Sequence, residues 1–386
     1  MKKKNLLAIF CALAMSAAIG MMAACVPSDD PGNTPGGDTP GGDTPGGDPQ
    51  TVYGLPVAES GHYINNSDAF EEDGTRWLFY TTNETSGEED NVIAVRKASF
   101  EEGADKGWAY GEETIALRGT EGGWDEYLGS ASVVKGSFEY GGAEYGYLMA
   151  YCGTPQADET QFSIGLAVAQ SPDGAWTKVG TQPVVAFEAV NAGSAQTAVG
   201  NYAPSLVNYD KEGGVRLFYT FADSYGHFAK FVDIEASDLD APVLSGEAVV
   251  PNHGEIAGGD TVAMFPNADF VYDASGKQFY AVKDYSPTPS QAPAFARRIQ
   301  LLSIAEGELY TTDLGEGWKG IRTWDNTDTP DGMYERLYGA CIVSDAYGHI
   351  DGAADAEIVY NICMLEADTD DYLFTQNLMS FEIALS

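Results

Sequence analysis

A short pattern that returns five times along the chain limits what this protein can fold into. In each copy, small or acidic residues open an apolar stretch, and an aromatic-rich stretch follows after a turn. Near-constant spacing of such a unit over a whole chain indicates a repeat architecture. The copies are marked by Asp68, Ala131, Ala203, Asp269 and Ala340, which are separated by 63, 72, 66 and 71 residues.

The residues within each unit predict strands. The aromatic-rich stretch is Trp77-Leu78-Phe79-Tyr80 in the first unit, and turn pairs such as Asp73-Gly74 and Gly141-Gly142 precede it, as in β-hairpins. Three or four strands in each of five units predict an all-β fold, a five-bladed β-propeller. A β-sandwich is the competing fold, but its strands recur every ~8–12 residues without the longer period.

Composition supports this fold and excludes one class of partner. The 386 residues include 45 Gly, 22 Tyr and 6 Trp, and 44% are hydrophobic, which allows a large core and many turns. The net charge of −38 argues against nucleic-acid binding, because a phosphate backbone would be repelled over most of the surface.

The N-terminal residues predict export and a lipid anchor. Residues 1–24 have a basic start, an apolar stretch and small residues at the end, which is typical of a signal peptide; Ser16 and Gly20 argue against a membrane helix. Met22-Ala23-Ala24-Cys25 resembles a bacterial lipobox, which implies lipidation of Cys25 and an extracytoplasmic, lipid-anchored protein. Residues 25–50 then read as a Gly/Pro/Asp-rich disordered linker, and residues 51–386 as the propeller domain.

Cysteine usage adds little to the functional argument. The domain contains Cys152, Cys341 and Cys363, an odd number that does not suggest a disulfide framework. A bridge between Cys341 and Cys363 stays open, although we expect free buried thiols. The sequence has no Cys-x-x-Cys pair and no zinc-type His spacing.

An aspartate at the start of an innermost strand is costly unless it faces a wet channel. The chain carries one in a segment that resembles a known group of enzymes, the furanosidase-type propeller glycoside hydrolases of families 43, 62, 32 and 68. The similarity covers about residues 55 to 386. It is carried by Ser67–Thr81, Gly129–Ala131, Ile164–Thr177, and Ala203–Ser205 followed by Leu217–Thr220.

The resemblance implies a site with two carboxyl groups, one on each side of the anomeric carbon of a sugar. In these families blade one supplies an Asp base or nucleophile, which matches Asp68. Blade three supplies an Asp that tunes the acid, but Ala203 stands there. The Glu acid of blade four would fall near Asn267.

Other carboxyl groups could replace the missing acid, and we take Asp269 and Glu126 as further catalytic candidates. For each of them a turn-capping or solvated-loop role is the alternative. Trp124, Trp318 and Trp324 could stack on sugars or pack between blades. The substrate-binding candidates are Trp124, Asp125, Tyr202, Asn267, Asp260 and Glu335.

Two functions follow as expectations. The first is a cell-surface lipoprotein that hydrolyses glycosidic bonds in oligo- or polysaccharides; the alternative is a catalytically degenerate propeller that binds glycans. An enzyme of this type needs a second carboxyl about 5–10 Å from Asp68. The expected partner is a carbohydrate, with the membrane reached only through the lipid. No cofactor is certain, and calcium is suggested by the resemblance alone.

Overall fold

The computed structural model of the chain covers most of the predicted domain. The signal peptide, Cys25, and the linker up to residue 49 lie outside the described residues, so the predictions made for them, and for the domain limits, stay predictions. The structure describes residues 50–52, 55–101, 107–157, 159–188, 199–223, 226–256, 265–285, 296–310, 315–329, 336–363 and 372–385.

Strands dominate the described residues. Helical structure in them is limited to α1 (Glu306–Leu309) and two short 3-10 turns. The strands are β1 (Gln50–Val52), β2 (Asn65–Glu72), β3 (Thr75–Asn83), β4 (Asn91–Glu101), β5 (Gly107–Tyr110), β6 (Thr114–Arg118), β7 (Tyr127–Tyr140), β8 (Ala143–Thr154), β9 (Ser163–Ala169), β10 (Thr177–Lys178), β11 (Gly200–Asn208), β12 (Gly214–Asp223), β13 (Gly226–Glu235), β14 (Val243–Leu244), β15 (Ala248–Val249), β16 (Asp269–Asp273), β17 (Gln278–Tyr285), β18 (Arg298–Ala305), β19 (Lys319–Asp325), β20 (Arg336–Ile342), β21 (Ser344–Asp345), β22 (Asp355–Cys363) and β23 (Asn377–Ala384).

These strands form five separate sheets, which confirms the five-bladed propeller. Blade one contains β2 to β6, blade two β7 to β10, blade three β11 to β15, and blade four β16 to β19. Blade five contains β20, β22, β23 and β1, in that order. The innermost strands are therefore β2, β7, β11, β16 and β20, one from each repeat unit.

The ring is closed by the N-terminal end of the domain. Strand β1 pairs antiparallel with β23, so the first described strand completes the last blade. A second link is β21, which runs parallel to β2 and connects the end of blade five to blade one. Closure of this kind joins the first and last blades without a covalent bond.

The core is divided among the gaps between blades. Each of the five largest clusters of buried apolar side chains combines residues from two neighbouring blades. Between blades three and four, for example, Phe218 stacks on Phe270 with ring centroids 4.3 Å apart. Strand β9 is buried along its whole length, because both faces of an inner blade strand are covered.

Two alternatives that the sequence left open are settled by burial. Trp318 and Trp324 are 0% and 1% exposed, so they pack in the core and are not available to stack on a sugar. Cys152, Cys341 and Cys363 are all free and buried, as expected.

A buried ion pair joins the first and last blades. Arg76 on β3 is 3% exposed and donates two hydrogen bonds to Glu357 on β22, at 2.9 and 2.5 Å. Its guanidinium group also lies 4.3 Å from the ring centroid of Trp108 and bonds Glu71. Removing one partner of a buried pair leaves the other charge without compensation.

We predict that Glu357→Ala lowers the free energy of unfolding by about 3 kcal/mol, because Arg76 keeps only the half-exposed Glu71. Denaturant unfolding measures the change. The control is Glu84→Ala, which breaks the solvent-exposed pair with Arg118 and should cost at most about 1 kcal/mol. Equal losses in the two variants would contradict a role of the buried pair in holding blades one and five together.

Candidate functional site

A narrow cavity lies on the propeller axis, at the end where the innermost strands begin. We call this end the mouth. All five innermost strands or the residues just before them contribute, and the cavity has a volume of about 30 Å³. It is lined by Asn66, Ser67, Asp68, Ser130, Ala131, Ala203, Pro204, Asn267, Ala268, Asp269, Gly339 and Ala340.

Around this axis, side chains of one innermost strand accept hydrogen bonds from the backbone of the next. An innermost strand is an edge strand, so its inward N–H groups have no partner within their own blade. A carboxylate or hydroxyl oxygen from the preceding blade supplies one. The pairs are Val133 N to Asp68 Oδ2 at 2.9 Å, Leu206 N to Ser132 Oγ at 3.0 Å, Phe270 N to Ser205 Oγ at 2.9 Å, and Ile342 N to Asp269 Oδ2 at 2.8 Å.

These contacts correct the register of the sequence repeat. The positions equivalent to Asp68 and Asp269 are Ser132 and Ser205, where the sequence had suggested Ala131 and Ala203. Blade five has Cys341 at this position, with its Sγ atom 3.6 Å from Ser67 Oγ. Two of the five equivalent positions therefore carry carboxyl groups, and both groups have a structural bond.

Two residues before these positions, the backbone turns into the left-handed region in blades one, three, four and five. The φ angles are +48° at Asn66, +48° at Ala203, +45° at Asn267 and +55° at Gly339. Pairing registers shift at this point in β2, β11 and β20, which marks β-bulges. Bulges redirect side chains and are frequent beside functional sites, and the strained backbone is tolerated only where the surroundings fix it.

The bulge also changes which residue corresponds to the blade-one carboxylate. Asn66 shares its left-handed conformation with Ala203 and Asn267, the residues at the other two carboxylate positions implied by the resemblance. Each of the three lies two residues before a side chain that bonds the next blade, which in blade one is Asp68. By this register, the three positions hold Asn66, Ala203 and Asn267.

Burial and mutual repulsion perturb the axial aspartates. Burial raises the pKa of Asp68 well above its ordinary value, and the negative charge of Asp269 raises it further. Burial raises the pKa of Asp269 to about 6, although bonds from Ile342 N and the Ser205 hydroxyl partly oppose this. Asp68 thus has a second carboxyl group in the same cavity, and the two groups are electrostatically linked.

A carboxyl group that the sequence analysis missed lies behind the mouth. Asp284 on β17 is 1% exposed and accepts hydrogen bonds from Asn267 Nδ2 at 2.6 Å and from Gly339 N at 2.8 Å. Burial raises its pKa to about 7, and these two bonds and the charges of Arg336 and Lys283 oppose the rise. The available signal was a charged Lys-Asp pair at the end of an apolar strand.

Tyr202 lies next to this group. Its hydroxyl is 2.7 Å from Nδ1 of His227, and the charge of Asp284 contributes to raising the Tyr202 pKa, so the two are close. Burial lowers the pKa of His227 to about 4, which keeps its imidazole neutral at neutral pH. Tyr202 and Asn267, both substrate-binding candidates, are thus brought together.

The blade-two candidates lie elsewhere. Asp125 is 2% exposed and is bound by Lys178 Nζ at 2.5 Å and the Tyr151 hydroxyl at 2.9 Å, and Trp124 stacks on Tyr151 with centroids 5.8 Å apart. These contacts give both residues a packing role within blade two, and their expected role in substrate binding stays a prediction. Glu126 is half-buried just before β7 and is not part of the cavity lining.

Other predictions are addressed only in part. Asp260 and Glu335 lie outside the described residues. Among the residues that are described, no group of three or more His, Cys, Asp or Glu side chains is arranged to hold a metal ion, so we assign no site to calcium. No helix in the same part of the chain is long and apolar enough to span a bilayer.

Comparison with known proteins places the fold. No family model matches the chain, and no curated protein matches it. Among solved structures it is similar to Zg3597, a family 117 glycoside hydrolase of the marine bacterium Zobellia galactanivorans, with 13% identity, a TM-score of 0.54, and coverage of 88% of this chain and 90% of that one. It is also similar to the α-L-arabinofuranosidase PaAbf62A from Podospora anserina, solved with cellotriose, at 10% identity, a TM-score of 0.54, and coverage of 87% and 96%.

The fold is that of the propeller glycoside hydrolases. A third match, the catalytic domain of a family 62 α-L-arabinofuranosidase from Coprinopsis cinerea, has 11% identity, a TM-score of 0.53, and coverage of 87% of this chain and 96% of that one. These similarities confirm the fold implied by the sequence resemblance. At such identities they extend to architecture, and activity has to be argued from the residues of this chain.

The raised pKa of Asp269 gives a pH-dependent stability. The folded protein binds the proton of the Asp269 carboxyl group more tightly than the unfolded chain does. Protonation of Asp269 therefore stabilises the fold at low pH. This stabilisation is lost as the pH rises from the ordinary value of 3.8 to about 6. We predict that, over this range, the unfolding free energy of the wild type falls by about 1–3 kcal/mol relative to that of Asp269→Asn.

Denaturant unfolding at a series of pH values measures this difference. Asp173→Asn, on an exposed turn, serves as the matched control and should follow the wild type. Parallel pH profiles for the wild type and Asp269→Asn would contradict the assignment of a protonated, structural Asp269.

Proposed function

We propose that this chain is a cell-surface lipoprotein that recognises carbohydrate at the mouth of a glycoside-hydrolase-type propeller and holds it without cleaving it. The observation that carries this proposal is the left-handed backbone conformation that Asn66, Ala203 and Asn267 share. Asparagine and alanine occupy the three positions where the related enzymes have carboxyl groups. An amide can hydrogen-bond a sugar hydroxyl, but it supplies neither a proton donor of suitable pKa nor a carboxylate nucleophile.

The size of the axial cavity supports the same reading. Its volume of about 30 Å³ has room for a water molecule or one hydroxyl group, but not for a sugar ring. Asp68 and Asp269 lie on this narrow cavity and already accept backbone hydrogen bonds. We therefore expect neither carboxyl group to reach an anomeric carbon held at the mouth.

The mouth offers polar groups with fixed orientations. Because Asp284 accepts a hydrogen bond from Asn267 Nδ2, the orientation of this amide is fixed. Asn66 is held through its backbone N–H, which donates to Asn361 Oδ1 at 2.9 Å. Rigid amide groups beside an aromatic side chain such as Tyr202 suit the hydroxyl groups and C–H faces of a sugar.

Hydrolysis is the second candidate function, and Asp284 is the observation that favours it. A buried carboxyl group with a pKa of about 7 is suited to general acid catalysis near neutral pH. Its contact with Asn267 puts it one side chain away from the position of the family's acid. In this alternative, Asp284 would donate the proton and Asp68 would act as base or nucleophile.

Titration calorimetry with xylotriose, cellotriose and arabinotriose tests the binding proposal. We expect at least one of these to bind, and we expect Asn267→Ala to weaken that binding about tenfold, because it removes the oriented amide. Gln182→Ala removes an exposed amide that does not line the axial cavity and should leave the affinity unchanged. Binding that is identical in both variants would place the ligand elsewhere.

Chromogenic arabinofuranosides, xylosides, fructosides and galactosides separate the two candidates. We predict no turnover above the buffer rate. The proposal of a non-cleaving site is wrong if any of these substrates is hydrolysed and Asp68→Asn or Asp284→Asn abolishes that activity.

The lipid anchor belongs to the same proposal and rests on the lipobox at Met22-Ala23-Ala24-Cys25. We expect wild-type protein expressed in a bacterium to fractionate with membranes and to resist extraction by high salt, since acyl chains anchor it. Cys25→Ala should prevent lipidation and shift the mobility of the chain. Unchanged incorporation of labelled fatty acid in Cys25→Ala would exclude this cysteine as the acceptor.

A further inference from the structure

A groove lies between blades three and four, at the end of the propeller opposite the mouth. It includes the turn after β11, and Ala203 near the start of the same strand lines the axial cavity. The groove has a volume of about 460 Å³, within the range of about 300–1,000 Å³ typical of small-molecule sites. It is thus much larger than the axial cavity.

An arginine held among aromatic rings forms part of the groove lining. Arg216 is 3% exposed and donates to both carboxylate oxygens of Asp233, at 2.6 and 2.7 Å. Its guanidinium carbon lies 4.3 Å from the ring centroid of Phe231 and 4.6 Å from that of Tyr310, whose hydroxyl accepts a third bond from Arg216. These contacts fix the Tyr310 ring before any ligand binds.

The same aromatic ring is open to solvent. Tyr310 is 51% exposed, and Val243, which also lines the groove, is 65% exposed. A large aromatic side chain is usually buried, so a ring that is rigidly held and yet half exposed at the edge of a cavity is suited to stacking. The groove therefore combines a fixed apolar surface with polar groups around it.

The polar groups around the groove select among ligand classes. Four carboxylates, those of Asp210, Asp233, Glu235 and Glu306, line it together with the single positive charge of Arg216. The net negative charge of this lining disfavours an anionic glycan, and Arg216 is already paired with Asp233. Neutral sugars carry many hydroxyl donors, which carboxylate acceptors bind through charge-assisted hydrogen bonds.

We propose that this groove is a second carbohydrate site, which binds a neutral oligosaccharide by stacking a sugar ring on Tyr310 while hydroxyl groups donate to the surrounding carboxylates. This inference extends the carbohydrate-binding function proposed above to a second face. The two sites lie at opposite ends of the propeller and share no lining residue. Each one can therefore be removed without altering the other.

Titration calorimetry with xylotriose, cellotriose and arabinotriose tests the proposal on four variants. Tyr310→Ala removes the stacking surface, and we expect it to weaken binding at the groove at least tenfold. Tyr310→Phe keeps the ring and should retain most of the affinity. Phe100→Ala is the matched control, because Phe100 has the same 51% exposure. It packs on Trp108 in blade one, whereas the groove lies between blades three and four. Val243→Arg fills the groove from an exposed position and replaces Tyr310→Ala if that variant does not fold.

The outcomes separate this inference from the function proposed for the mouth. Two sites in the wild type, one lost in Tyr310→Ala and the other in Asn267→Ala, would support both. Binding that is weakened by Asn267→Ala but unchanged in Tyr310→Ala and Val243→Arg would overturn the groove site alone. Binding weakened only by the groove variants would support the groove and overturn the mouth. No binding of any of the three sugars would overturn both.

Discussion

The propeller depends on how its innermost strands satisfy their inward backbone groups. Each of these strands is the edge of its sheet, and an unpaired N–H group near the axis would cost a lost hydrogen bond. Blades one to four each supply a side-chain acceptor to the backbone of the next blade. Hydroxyl groups do this in blades two and three, whereas Asp68 and Asp269 do it in blades one and four. The two carboxyl groups that make the channel acidic are therefore part of the joint between blades.

Because of this constraint, the residues that join the blades and the residues available to a ligand are different residues of each innermost strand. Residues at the joint are bonded to a neighbouring blade, whereas residues two positions earlier sit on the bulge and face the mouth. Blade five has Gly339 at the equivalent position, where a Cβ atom would lie 2.8 Å from Asn66 Oδ1 in a backbone region that favours glycine. Substitutions at the bulge can thus change which ligand groups are bound without breaking the hydrogen bonds between blades. In this chain the bulge residues are amides and small side chains, which suits binding better than acid–base chemistry.

The sequence predicted the five blades because each blade is covered on both faces, so its strands read as apolar runs with a long period. It could not predict the register at the axis. Small and polar residues occur both at the bulge and at the position that bonds the next blade, as in Ala203 and Ser205 or in Asn267 and Asp269. A bulge also produces no repeating sequence pattern by which it could be recognised. The role of Asp125 was equally hidden, because its partner Lys178 is 53 residues away in sequence. Asp284 escaped notice since its two partners come from a different strand of its own blade and from blade five.

The contacts of Asp284 explain why a buried acid with a raised pKa is retained at the mouth. One carboxylate oxygen is bonded to the Asn267 amide and the other to the Gly339 N–H, and both of these residues have a left-handed backbone. A single side chain from β17 thereby fixes the mouth-facing positions of blades four and five relative to each other. The cost of burying the ionised carboxyl group is partly offset by two bonds and by nearby positive charges, which oppose the rise of its pKa. Such an arrangement fixes polar groups for a ligand before it arrives, and this preorganisation reduces the entropic cost of binding.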